Sequence, residues 1–136
     1  GGAARRPAAP VAGTVTVKAS KRSYAPGETV EIRVSGRGLK SVNALSFALP
    51  YDPQQLEYVG IEAPGLGQMR NFTADRLHTN GVKALYPTFV NVGEQATAEG
   101  DGELLVIRFR TRKAYVYDLQ PADGLLVDKR MNQAAF

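Results

Sequence analysis

The sequence contains no cysteine, no tryptophan and only one histidine among its 136 residues. Without cysteine the chain has no disulfide framework, no thiolate zinc site and no cysteine nucleophile. No apolar run approaches the ~18 residues that a membrane-spanning helix needs, so we expect no membrane partner. The sequence also lacks any helical periodicity longer than two turns. These absences exclude cysteine chemistry and leave the β-forming segments as the main signal.

The excess of positive charge is small. The formal net charge is +4, which is too low to indicate binding to the phosphate backbone of nucleic acid. The aromatic-and-basic pattern of an RNA-binding sheet is also missing from the sequence. We therefore expect no nucleic-acid partner.

The stretch from Val42 to Val59 organises the chain. In its first half Leu45, Phe47 and Leu49 recur at period two, which predicts a strand with one apolar face. The other face of this strand carries only small side chains, namely Ala44, Ser46 and Ala48. The segment Tyr51-Asp52-Pro53 then ends the strand, because proline lacks an amide donor and restricts the preceding residue.

A second clear strand covers Glu103 to Thr111. Its odd-numbered apolar residues are predicted to point into the core: Leu105, Ile107 and Phe109. Its even-numbered residues are then predicted to point outward: Leu104, Val106, Arg108 and Arg110. Between an earlier strand, at Val30 to Val34, and the strand that starts at Val42, the segment from Gly36 to Lys40 is predicted to be a loop.

The number and spacing of these segments predict the fold class. About nine short strands, separated by glycine and proline turn signals, are typical of an all-β protein with an antiparallel β-sandwich. We predict that residues 13–136 form one such domain. Residues 1–12 consist of glycine, alanine, proline, valine and arginine, and we interpret them as a disordered linker or a cloning tail.

The motif Tyr51-Asp52-Pro53, followed by Leu56, resembles the cohesin domain. Its flanks strengthen the resemblance, with Ala25-Pro26-Gly27-Glu28 before one strand and Gly100-Asp101-Gly102-Glu103 before another. Cohesins are scaffoldin modules that capture dockerins in bacterial polysaccharide-degrading assemblies. The resemblance implies a jelly-roll sandwich, a non-catalytic monomer, and a secreted or cell-surface location in a bacterium. It also implies a dockerin-like protein partner, which can carry calcium.

The resemblance implies a binding surface as well. It places the strand from Val42 and the strand from Glu103 in one sheet, whose outer face would bind the partner. The predicted partner-binding residues are Ala44, Ser46, Ala48, Leu104, Val106, Arg108 and Arg110. The best-known cohesins carry Asn and Asp at two outward positions of the first strand, where this chain has Ala44 and Ser46.

Catalytic chemistry finds little support in the sequence. The single histidine, His78, has Asp75 nearby but no recognisable nucleophile motif. Paired carboxylates could act as acid and base on a glycoside, and the candidate pairs are Glu57 with Glu62, Glu94 with Glu99, and Asp101 with Glu103. Each pair lies beside a turn or on an exposed strand face, where solvated charge is the simpler interpretation. We predict no catalytic residues and no enzyme activity.

No cofactor or metal site is predicted. Asp118, Asp123 and Asp128 are evenly spaced near the end of the chain. Their spacing does not match a calcium loop, which needs oxygen ligands at alternate positions. A single structural calcium ion remains an open alternative.

Two other functions remain open. Tyr86, Tyr115 or Tyr117 could form a platform for sugar rings, which would make the chain a carbohydrate-binding module with a polysaccharide ligand. Alternatively, the chain could be a passive spacer domain in a secreted glycoside hydrolase.

Overall fold

The structure is a computed structural model and describes residues 13–136, so the linker predicted at residues 1–12 lies outside the described residues. The described residues form twelve β-strands and one 3-10 turn, Pro64–Leu66, without an α-helix. The strands are β1 (Thr14–Ala19), β2 (Ser23–Tyr24), β3 (Thr29–Tyr51), β4 (Leu56–Glu62), β5 (Arg70–Asn71), β6 (Ala74–Leu77), β7 (Lys83–Tyr86), β8 (Thr88–Val90), β9 (Ala98–Thr111), β10 (Tyr115–Val116), β11 (Ala122–Asp128) and β12 (Gln133–Ala135). The predicted antiparallel β-sandwich is confirmed, with more strands than the nine expected.

Strand β3 runs through both layers of the sandwich. Its first half, residues 29–36, lies between β1 and β9, and β4 pairs with the other edge of β9. Its second half, residues 42–49, lies between β11 and β8, and β12 extends this layer beyond β11. The end of β3 then pairs with β7, which pairs with β6. One continuous strand of 23 residues therefore joins the two layers.

The loop predicted at residues 36–40 is wrong, because this segment is an irregular part of β3. Gly38 and Ser41 both have positive φ, at 63° and 49°, and the register with β9 shifts in this region. The amide of Gly38 donates to Asp101 Oδ1 at 2.7 Å, and the amide of Ser41 donates to Glu99 Oε2 at 2.6 Å. Carboxylates from β9 thus satisfy amides of the irregular segment that would otherwise need ladder partners.

The core forms where the sequence pattern predicted it. The six inward positions of the two strands are almost completely buried: Leu45, Phe47, Leu49, Leu105, Ile107 and Phe109. The ring of Tyr51 packs edge-on against Phe109, with centroids 4.8 Å apart. Because each fully buried large apolar side chain contributes about 1.5–3 kcal/mol, this set is a main source of the sandwich's stability.

Leu104 is not on the outer surface, contrary to the prediction. Val34 pairs with Leu105 and Ser35 pairs with Glu103, so Leu104 is an extra residue in β9, that is, a β-bulge. Its side chain is 4% exposed and belongs to the hydrophobic core. The 3-10 turn lies against the backbone here, since a Cβ on Gly65 would come within 2.1 Å of the Glu103 carbonyl oxygen. The bulge and this close turn explain why simple alternation failed at Leu104.

Candidate functional site

The outer face of the layer formed by β1, the first half of β3, β9 and β4 is a network of ion pairs. Arg33 contacts Glu103 at 2.8 Å and Glu31 at 3.1 Å. Arg108 contacts Glu62 at 3.0 Å and Glu31 at 3.4 Å. We call these five side chains the charged face. Because each of these five charges has a partner within the face, the five together leave little unpaired charge for another molecule.

The prediction that seven residues form one flat surface is wrong. Strand β9 pairs with the first half of β3, so its outward residues lie in the opposite layer from the second half of β3. Val106 is only 5% exposed and lies in register between Arg33 and Glu62. Arg108 belongs to the charged face, and Arg110 is exposed beside it. The seven residues therefore divide between the two layers and the core. The three residues of β3 stay together on one layer, three residues of β9 stay together on the other, and Leu104 lies in the core.

Those three residues lie on the outer face of the other layer. Ala44 is flanked in register by Val127 of β11 and Val90 of β8. Ser46 is flanked in the same way by Leu125 and Thr88, and most of these side chains are half-buried. We call this surface the neutral face, and it consists of Ala44, Ser46, Ala48, Thr88, Val90, Leu125 and Val127.

The neutral face carries no charged side chain. It presents methyl groups and two hydroxyls, and the hydroxyl of Thr88 already donates to the Tyr86 carbonyl oxygen at 3.0 Å. Such a surface can pack against an apolar partner without the cost of stripping water from ions. The sequence could predict its β3 residues from alternation, but not Thr88 or Leu125, because alternation does not tell which strands are neighbours.

One corner of the neutral face is basic and aromatic. Arg70 lies in register with Val90, at the edge of the layer. His78 directly follows β6, and its Nε2 atom lies 2.8 Å from the hydroxyl oxygen of Tyr86 on β7. We call this set the basic corner, and it consists of Arg70, Phe72, Arg76, His78 and Tyr86. Arg70 and Arg76 lie six residues apart along the edge of the sheet, and the cleft there is bordered by Arg76 but not by Arg70. The short strands of the basic corner gave no clear signal in the sequence.

The groups considered for catalysis have structural contacts. Asp75 accepts from the Tyr51 hydroxyl at 2.7 Å and from Lys83 Nζ at 2.9 Å. Burial, and next this hydrogen bond to Asp75, raise the pKa of Tyr51. Asp101 and Glu99 accept backbone amides of β3. These partners account for Asp75, Asp101 and Glu99 without a catalytic role.

The tyrosines do not form one platform for a sugar. Tyr115 is buried, its ring centroid lies 6.2 Å from that of Tyr24, and its hydroxyl donates to Asp118 at 2.7 Å. Burial is the largest of the causes that raise the pKa of Tyr115. Tyr117 is half-buried against the core, and Tyr86 lies in the basic corner. The suggestion that Tyr115 stacks on a sugar ring is therefore wrong.

Residues 13–136 contain no group of three or more acidic or histidine side chains arranged to hold a metal ion. Asp128 instead closes the turn between β11 and β12, where its Oδ1 atom accepts the amides of Arg130 and Asn132 at 2.9 Å. Although desolvation opposes it, this hydrogen bonding lowers the pKa of Asp128. Within the same residues, no helix has the length and apolar character needed to cross a bilayer.

The sequence matches a known family over most of its length. The family model of the cohesin domain matches residues 13–130. No curated protein sequence matches the chain.

Solved structures resemble the fold at low sequence identity. The sixth cohesin of scaffoldin B from Acetivibrio cellulolyticus, solved in complex with a mutant dockerin, has a TM-score of 0.68 at 15% identity, over 91% of this chain and 92% of that one. A cohesin module from a family 33 glycoside hydrolase of Clostridium perfringens has a TM-score of 0.65 at 14% identity, over 93% and 90%. A non-cellulosomal cohesin from the archaeon Archaeoglobus fulgidus has a TM-score of 0.61 at 18% identity, over 88% and 82%.

Proposed function

This chain belongs to the cohesin family of non-catalytic protein–protein interaction modules, and we propose that it captures a dockerin module on its neutral face. Membership in that family confirms the prediction that the chain is not an enzyme. Several structures with the same fold were solved as cohesin–dockerin complexes, which supports a dockerin as the partner class.

The observation that carries the proposal is the contrast in charge between the two outer faces. On the charged face Arg33 and Arg108 are paired within their own layer. On the neutral face Ala44 and Ser46 are bordered by valine, leucine and threonine. A stable interface buries about 800 Å² per partner and excludes charged residues from its centre. The neutral face meets the requirement on charge, whereas the charged face does not.

We propose an extracellular setting for this interaction. A similar cohesin module comes from a glycoside hydrolase, which supports a place in a polysaccharide-degrading system. One cohesin of the same fold is non-cellulosomal and comes from an archaeon, so the fold alone does not indicate a bacterium. A bacterial source is therefore part of the proposal. Calcium would enter with the dockerin, and we expect the free chain to be a monomer.

A direct test uses the dockerin modules encoded by the source organism. Each is purified with calcium, and its affinity for this chain is measured by calorimetry with and without a chelator. We expect at least one dockerin to bind in a calcium-dependent manner, and Ser46→Arg to abolish that binding. Thr16→Arg, at an exposed position of β1 in the opposite layer, is the matched control and should bind like the wild type.

The alternatives have distinct outcomes in the same test. Binding that is lost with Thr16→Arg but kept with Ser46→Arg would move the site to the opposite layer. If no dockerin binds, the proposed partner is wrong. Retention of the chain by soluble polysaccharide would then favour the carbohydrate-binding alternative, and no saturable ligand would favour a spacer.

A further inference from the structure

We propose that the basic corner determines which dockerin is accepted, by binding partner carboxylates that lie next to an apolar side chain. The inference rests on the proposed function and names the chemistry of its partner. The residues involved are those of the basic corner. They do not include Ala44 or Ser46, which occupy the positions where the best-known cohesins carry Asn and Asp.

The corner is continuous with the neutral face. Arg70 pairs with Val90, which pairs in turn with Ala44. Arg76 pairs with Ala84, which pairs with Pro50 at the end of β3. Residues that pair directly across antiparallel strands point to the same side of the sheet. Both arginines therefore project on the side of the sheet that carries the neutral face.

Neither arginine forms an ion pair with any residue in the described range 13–136. Asp75 is adjacent to Arg76 in sequence, but it points to the other side of β6 and binds Tyr51 and Lys83. Arg33 on the charged face differs, because it contacts two glutamates. The positive charge at the corner is thus available to a carboxylate from outside.

An apolar contact lies beside this charge. The side chain of Phe72 is 54% exposed, which is unusual for a ring of its size. A cleft here is lined by Phe72, Arg76 and Tyr86, and also by Thr88 of the neutral face. The bond between His78 and Tyr86 holds the two rings at the end of this cleft. A partner with an aspartate or glutamate next to a leucine or similar residue would satisfy both features.

The test compares two double charge reversals in the full chain. The double variant Arg70→Glu with Arg76→Glu, called the corner variant, reverses the charge of the basic corner. Lys18→Glu with Arg110→Glu makes the same change in net charge at exposed positions of the opposite layer. With a dockerin that binds in the calorimetric test above, we expect the corner variant to lose at least ~tenfold in affinity, because like charges at an interface oppose binding. The control variant should stay within about twofold of the wild type.

A charge swap makes the test specific. Replacing the acidic residue of the dockerin with lysine should restore much of the binding to the corner variant and weaken binding to the wild type. Equal affinity of the wild type and the corner variant, while Ser46→Arg still abolishes binding, would overturn the inference and leave the proposed function intact.

A second probe keeps the inference testable even when no dockerin binds. The dipeptides acetyl-Leu-Glu-amide and acetyl-Leu-Gln-amide are titrated into the labelled chain, and amide shifts are followed by NMR. We expect the glutamate probe to shift the amides around Arg76 and Phe72 more than those around Arg110, and the glutamine probe to shift neither strongly. Equal shifts at both places would overturn the inference.

Discussion

The two outer faces of the sandwich share strand β3 but differ in charge. The first half of β3 contributes Glu31 and Arg33 to a face of mutual ion pairs, and its second half contributes Ala44 and Ser46 to a face without charge. Exposed ion pairs contribute little to stability, typically below about 1 kcal/mol each. What the charged face gains is mutual neutralisation, which leaves it little to offer a partner.

This difference teaches that charge alone does not mark a binding surface in this protein. Arg108 of β9 looked suitable for a partner as long as its own ion-pair partners were unknown. The structure accounts for Arg108 within the charged face, whereas Arg70 and Arg76 stand beside the neutral face without an ion pair in the range 13–136. A free charge next to an apolar surface is the better indication of recognition.

The largest expected effect tests the boundary between surface and core at β9. Leu104→Ala should lower the free energy of unfolding by about 2–5 kcal/mol, because it leaves a cavity in the core. Leu125→Ala, on the neutral face, removes the same atoms from a half-exposed site and should cost less. Urea denaturation of both variants measures the difference. Equal costs would mean that Leu104 lies at the surface after all.

A smaller effect is expected from a charge placed on the neutral face. Ser46→Asp should weaken dockerin binding about tenfold, or about 1.4 kcal/mol, because burying an unpaired carboxylate is costly. Ser46→Asn has nearly the same shape without the charge and should bind within a few-fold of the wild type. Calorimetry on both variants separates charge from shape. Tighter binding by Ser46→Asp would show that the partner presents a cation to this face.

A still smaller effect is expected on the charged face. Glu31→Gln removes the carboxylate that contacts both Arg33 and Arg108. We expect a loss of about 0.5–1 kcal/mol in the free energy of unfolding at low salt, since exposed pairs are weak and screened. Denaturation at low and high salt checks this, and the loss should shrink at high salt. Dockerin binding should not change, and a change would contradict the division of roles between the faces.

The smallest expected effect is a change in how stability depends on acidic pH, through Asp128 at the edge of the neutral face. The pKa of Asp128 is lowered in the folded chain, so its ionised form contributes stability above the unfolded value of about 3.9. That contribution should be lost as the pH falls below this value and through the folded one. Asp128→Asn keeps an oxygen for the amides of Arg130 and Asn132 but cannot titrate. Its thermal unfolding should therefore depend less on pH over this acidic range than that of the wild type.

Much of the fold could be predicted from the sequence, because alternation reports which side of a strand is apolar. Phe47 and Ile107 are buried for that reason, and the turn after Tyr51 was visible in Asp52 and Pro53. Alternation does not report strand neighbours, and the resemblance was used instead to place the strand from Glu103 in the same sheet as the strand from Val42. The pairing shows that placement to be wrong. Alternation also fails at a bulge, which is why Leu104 was expected on the surface.

The candidate site was harder to predict than the fold. Ala44 and Ser46 lie together as expected, since both belong to one regular strand. The residues around them come from β5, β6, β8 and β11, which are distant in sequence and meet only through pairing. Phe72 directly follows β5, which has two residues, and Arg76 lies in β6, which has four. Strands this short do not show a detectable alternation of apolar and polar residues. Such a surface becomes visible only after the pairing is known.

The continuity of β3 has a consequence for the dynamics of the domain. Because one backbone supplies ladder partners to both layers, neither layer can open fully without disturbing the other. Local opening in such a chain should begin at the short outer strands and leave the amides of β3 the most protected against hydrogen exchange. The two layers are then expected to unfold as one cooperative unit, so a change on the charged face is expected to change the lifetime of the neutral face.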